Sequence, residues 1–133
     1  KKLIKLIEYI GFQGVIAIVP FKKIRSEFLV YNCKSRSFPT KVAELIRSIP
    51  DKVEIILIDM MEDGMLTNFN WSIFKTIPKR KYIIQGSAFI KKKSLNYYEN
   101  NGISGISVEN SLLWKENVTH KIRSENKCFE KKI

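Results

Sequence analysis

Three short clusters in this sequence carry groups able to hold an anion, and each follows an apolar run. Glu54-Ile55-Ile56-Leu57-Ile58 ends in Asp59-Met60-Met61-Glu62-Asp63-Gly64-Met65. Tyr82-Ile83-Ile84 ends in Gln85-Gly86-Ser87-Ala88, and Ser104-Gly105-Ile106-Ser107-Val108 ends in Glu109-Asn110-Ser111. Glycine, lacking a Cβ, lets backbone N–H groups converge on phosphate oxygens, and a helix beginning just after adds positive potential. The competing reading is plain: Asp63-Gly64 alone is an ordinary turn, and an acid after a strand often caps the next helix.

Elements must position these clusters. Short apolar strands alternating with amphipathic helices predict a parallel sheet covered by helices, with its chemistry just after the strands. Leu3, Ile4, Leu6, Ile7 and Ile10 share a helical face that Gly11 closes. Gln13 to Val19 reads as a buried strand stopped by Pro20, and Phe21 to Phe38 as a β-hairpin or ribbon. Pro39-Thr40 is expected to start a helix with Val42, Leu45, Ile46 and Ile49 inward. Further helices are expected around Asn70, Ile73, Phe74 and Ile77, around Leu95, Tyr97 and Tyr98, and in the tail around Val118, Ile122, Phe129 and Ile133. Trp71 reads as a packing residue. Asn101-Gly102 reads as a left-handed helix cap.

At 133 residues the chain is expected to form a single domain over residues 1–133, with a core of useful size. The net charge of +11 invites a nucleic-acid reading. Lysine, isoleucine and asparagine are all abundant, however, and all have A/T-rich codons. The runs Lys79-Arg80-Lys81 and Lys91-Lys92-Lys93 also lack the interleaved aromatic residues of a single-strand groove. Nucleic acid is therefore not the expected partner; a phosphorylated metabolite is. Cys33 and Cys128 are far apart with no C-x-x-C spacing, and the only histidine, His120, lies in a polar tail. No metal or cofactor is expected, and the cysteines fit a reducing cytoplasm. No apolar stretch reaches transmembrane length, and Lys5 and Glu8 interrupt any signal-like run. The opening Lys1-Lys2, without a methionine, suggests a fragment of a longer polypeptide or a processed product.

From Ile55 to Tyr82 is 27 residues and from Tyr82 to Gly105 is 23, the short regular units of a (β/α) barrel. Leu57 to Met65, Ile83 to Ser87 and Asn101 to Val108 together resemble the C-terminal half of the histidine-biosynthesis barrel family. That family holds the cyclase subunit of imidazole glycerol phosphate synthase and the phosphoribosyl-formimino isomerase. The Lys22–Tyr31 hairpin is more similar to the cyclase and its paralogues, some of which accompany surface-polysaccharide genes. The resemblance covers about residues 3 to 114. It implies the C-terminal half of a TIM-type (β/α)8 barrel: four parallel strands alternating with helices, and a hairpin inserted after the first strand. Such a half-barrel needs either its N-terminal half or a second copy to cover its inner face.

The resemblance further implies a phosphorylated small-molecule ligand, a glutamine amidotransferase partner and a role in histidine biosynthesis or sugar amidation. It assigns the phosphate to Asp63, Gly64, Gly86, Ser87 and Asn110, with Lys22 adding charge at the strand mouth. The departures are chemical. Pro20 occupies the position of this half's catalytic aspartate, so no catalytic residue is assigned. Met61-Glu62-Asp63-Gly64-Met65 replaces a loop with another acid, an arginine and a threonine, and Glu109 replaces a small residue. Two like charges about 4 Å apart cost ~4 kcal/mol at an effective dielectric near 20, so an ionised Glu109 facing a phosphate would weaken binding. A non-catalytic scaffold or subunit is the competing expectation.

Overall fold

A computed structural model describes residues 2–61, 69–85 and 95–107. Its centre is one sheet of six strands: β1 (Ile16–Ile24), β2 (Glu27–Asn32), β3 (Ser37–Lys41), β4 (Glu54–Asp59), β5 (Tyr82–Gln85) and β6 (Ile103–Ser107). Their order across the sheet is β3-β2-β1-β4-β5-β6. β1, β4, β5 and β6 run parallel, whereas β2 and β3 are antiparallel additions on the far side of β1. The helices are short: α1 (Lys2–Ile10), α2 (Val42–Arg47) and α3 (Leu95–Asn100), with 3₁₀ turns at Phe12–Gly14 and Trp71–Lys75.

The expected half-barrel of four parallel strands alternating with helices is therefore wrong. The described residues form a mixed six-stranded sheet with three short helices. The physical reason lies in two connections. Between β1 and β4 the chain adds two further strands to the same sheet, on the far side of β1, before it reaches α2. Between β4 and β5 the expected helix is a five-residue 3₁₀ turn. At its end the Thr76 hydroxyl donates to the Ile73 carbonyl (2.8 Å), while the Ser72 hydroxyl donates to the Asn70 side chain (2.6 Å). A hydroxyl bonded to a carbonyl competes with the helical N–H for it.

β1 does not stop at Pro20 but continues four residues beyond it. The Phe21 carbonyl faces β4, where it accepts the Met60 N–H at 2.9 Å. The nitrogen of the preceding residue then faces the β2 side, where pairing begins only at Phe21↔Val30. Proline's missing donor thus removes no ladder bond. The chain reverses through Arg25-Ser26, with Arg25 at φ 56°. Pro39-Thr40 lies in edge strand β3, so α2 starts at Val42, later than expected.

One cluster forms the core. Val19 and Phe21 of β1, Phe28 of β2, Ile55 and Leu57 of β4, and Tyr82 and Ile84 of β5 meet Val42 and Ile46 of α2 and Ile73 of the 3₁₀ turn. Ile7 of α1 and Tyr98 of α3 join the same cluster. The expected tail helix lies outside the described residues. No helix of the described residues is long and apolar enough to cross a membrane.

Candidate functional site

Side chains alternate across a strand, so each of these strands presents two sets of residues. One set forms the core just described. The other is legible row by row from the pairing. Ile16 stands beside Glu54. Next come Ile18, Ile56, Ile83 and Gly105, and then Pro20, Ile58, Gln85 and Ser107. Lys22 and Ile24 continue the series on β1, with Leu29 and Glu27 of β2 beside them. This second face is apolar at its centre yet open: Ile16 is 50% and Ile18 59% exposed. Ile56, Ile58, Ile83 and Pro20 are half-buried.

The C-terminal end of the parallel strands is organised by Asp59, the buried charged residue of the core. Its Oδ1 accepts the Met61 N–H at 3.2 Å and its Oδ2 the Asn70 N–H at 3.1 Å, so one carboxylate ties together both ends of the segment between them. Burial raises its pKa above the ordinary 3.8, and the two backbone N–H donors hold it back in part. Both oxygens are thereby committed to chain closure. Around Asn70 the aromatic rings of Phe69, Trp71 and Phe74 stack within 6.0 Å of one another, and Trp71 reaches Tyr98 at 5.8 Å. Trp71 thus packs.

The N-terminal end is organised by Arg80. Its guanidinium donates to the carbonyls of Ile49 (3.1 Å), Pro50 (3.1 Å), Asp51 (2.9 Å) and Val53 (2.7 Å), gathering the turn between α2 and β4. The Arg80 carbonyl lies so close to Gly102 that a Cβ there would sit 2.6 Å from it, and Gly102 has φ 74°. The Tyr82 hydroxyl donates to the Pro78 carbonyl at 2.6 Å, and burial pushes its pKa up to about 12. The central cation of the Lys79-Arg80-Lys81 run is therefore a backbone clamp. Two shallow depressions of about 400 and 360 Å³ flank it.

Of the residues predicted to hold a phosphate, Lys22 is half-buried at the C-terminal end of the second face. Asp63, Gly64, Gly86, Ser87 and Asn110 lie outside the described residues, as does Glu109. Among the described residues no three His, Cys, Asp or Glu side chains gather as a metal site would require. Sequence reasoning missed Asp59 and Arg80. A carboxylate closing the apolar run Leu57-Ile58-Asp59 was a usable signal for the first. Nothing in a basic run distinguishes its structural member from its solvated neighbours. No family model matches the chain, and no curated protein matches it either.

Proposed function

We propose that the chain is a non-catalytic assembly subunit whose working surface is the apolar second face of its sheet. The observation that carries this reading is the exposure of Ile16 and Ile18 at 50% and 59%, beside half-buried Ile56, Ile58 and Ile83. Contiguous apolar surface of this kind is characteristic of interaction sites. We place the work in the cytoplasm, where the exposed thiol of Cys33 stays reduced.

The test is genetic. In cells that depend on the chain, Ile18→Lys fails to restore the defect of the deletion. Asp63→Asn and Ser87→Ala, which remove candidate ligand groups, restore it. The reverse pattern would sink the reading.

A second reading keeps the phosphorylated ligand and the glutamine amidotransferase partner of the resembled family. Lys22 favours it, because ligands of parallel sheets gather at the C-terminal ends of the strands and this lysine stands there on a chain of net charge +11. An NMR titration with inorganic phosphate and a sugar phosphate separates the two. Saturable shifts at Lys22 that Gly86→Asp abolishes support ligand binding, and their absence removes it.

A further inference from the structure

We propose that the antiparallel flank of the sheet, the end of β1 with β2 and β3, binds single-stranded nucleic acid. The flank lies beside the open isoleucine rows and acts independently of the assembly reading. Residues 21–41 carry six cations, Lys22, Lys23, Arg25, Lys34, Arg36 and Lys41, against one acid, Glu27. That acid is held by Lys41 in an ion pair. Among the described residues the other five cations make no ion pair. So dense a set of like charges repels itself, and a polyanion relieves the repulsion.

Backbone conformation singles out two of the six. Arg25 opens the two-residue turn between the paired residues Ile24 and Glu27, at φ 56°. Arg36 closes the turn between Asn32 and Ser37, at φ 50°. A left-handed backbone is free of strain for glycine, and asparagine or aspartate tolerates it better than a long side chain does. Both turns of the flank thus hold an arginine where folding alone favours glycine. Strain of this kind gathers at functional sites. The second turn is fastened by other side chains. Asn32 Oδ1 accepts the Lys34 and Ser35 N–H groups at 3.0 and 3.2 Å, and the Ser35 and Ser37 hydroxyls share a bond of 2.7 Å.

Placement gives the ligand its shape. β2 has six residues, so the two turns stand about 20 Å apart. Lys22 and Lys41 share a row across Leu29, near the first turn. Beside the second turn the rings of Tyr31 and Phe38 lie 5.3 Å apart, both half-buried. A strand laid along β2 therefore meets cations at both ends and a ring pair at one. Cations alone accept any polyanion, whereas rings among them offer a π-face on which a base stacks. This is the combination of cations and aromatic residues that the Lys79-Arg80-Lys81 run lacks.

Fluorescence anisotropy of a labelled oligothymidylate of about 12 nucleotides, titrated with the full chain between about 0.05 and 0.2 M salt, tests this. Log affinity should fall linearly with log salt, with a slope of about −0.7 for each phosphate neutralised. Arg25→Gly and Arg36→Gly should each weaken binding roughly fivefold and flatten that slope by about 0.7. Their unfolding midpoints should hold or rise, because glycine relieves the left-handed strain. Lys79→Gln, an equal loss of charge outside the flank, should change affinity by less than about twofold. Ring resonances of Tyr31 and Phe38 should shift as the oligonucleotide is added. No saturable binding, equal losses from Lys79→Gln and the arginine variants, or unmoved ring resonances would overturn the proposal. So would equal affinity for inorganic polyphosphate of the same phosphate count or for phosphatidylglycerol vesicles, since the rings would then contribute nothing.

Discussion

Val19 and Ile18 are neighbours in β1, yet the first is 1% exposed and the second 59%. The same division runs through β4, where Ile55 and Leu57 are fully buried while Ile56 and Ile58 between them are only half-buried. Both faces of these strands are made of β-branched and aliphatic residues, so hydrophobicity alone does not separate them. What separates them is cover. α1, α2, α3 and the Trp71–Lys75 turn all contribute to the core on one side. A strand that is apolar on both faces is suited to burial on both. Among the described residues the open face is thus the uncovered one, and stability and assembly should divide between the two sides.

The largest effect should come from breaking the covered side. Leu57→Ala removes a side chain with no exposed surface and leaves a cavity, which should cost about 2–5 kcal/mol in denaturant unfolding. Ile18→Ala should cost less than about 1 kcal/mol because its side chain is already 59% exposed. Equal losses at the two positions would mean that the open face is covered in solution, and the contrast between faces would fail.

Next in size is the junction that holds the N-terminal end of the covered side. Gly102→Ala combines a left-handed backbone with a Cβ 2.6 Å from the Arg80 carbonyl. The backbone conformation alone costs about 1–3 kcal/mol, and the contact forces a shift of the main chain. Because Arg80 gathers the four carbonyls between Ile49 and Val53, that shift should also loosen the turn before β4. Amide hydrogen exchange at Val53 and Ile55 reads it. Unchanged exchange in the variant would show the two ends to be independent.

These sites also mark how far the sequence could be read. The runs around Ile55 and Ile83 are short apolar stretches flanked by turn residues, a pattern of buried strands. The Ile103–Ser107 strand is interrupted by Ser104 and Gly105 and is placed by its spacing from the others. The closing of α1 at Gly11 and of α3 near Gly102 follows from left-handed glycines, with φ 79° and 74°. What misled was the connection between strands. An apolar spacing of three or four residues at Ile73, Phe74 and Ile77 looks helical, but a five-residue 3₁₀ turn places the same residues on one side, and the Thr76 hydroxyl takes the Ile73 carbonyl at its end. Pro20 looked like a stop because its cost depends on which neighbour its nitrogen faces, a fact of sheet order and not of sequence. Of the candidate site, Lys22 could be placed. Asp59 and Arg80 act through main-chain atoms distant in sequence, and no local motif announces such partners.

Asp59 allows a smaller and more specific test of the covered side. Asp59→Ala leaves the Met61 and Asn70 N–H groups without their acceptor and should cost about 1–3 kcal/mol. Asp59→Asn keeps one acceptor and removes the buried charge, so it should cost less. The pH dependence has a definite sign. With its pKa raised in the folded state, the carboxyl holds a proton that the unfolded chain has released at any pH between 3.8 and the raised value. Its contribution is full below 3.8 and is lost as pH rises through that window. Stability of the parent relative to Asp59→Asn should therefore fall with rising pH there. A difference that stays flat or rises would show that the two backbone donors outweigh burial.

The smallest effect should be found at the antiparallel flank, where Glu27 of β2 pairs with Lys41 of β3, each side chain about half exposed to water. The hydrogen bond and charge of Glu27 raise the Lys41 pKa above 10.5, so any stabilisation is present at neutral pH and lost only as pH rises through that higher value. Solvent and salt screen such a pair, and holding two long side chains together opposes it. Glu27→Gln should leave the unfolding midpoint unresolved from that of the parent at about 0.15 M salt. If it instead lowers the midpoint clearly, the pair is less screened than its half-exposure implies, and the antiparallel flank contributes to stability as the covered side does.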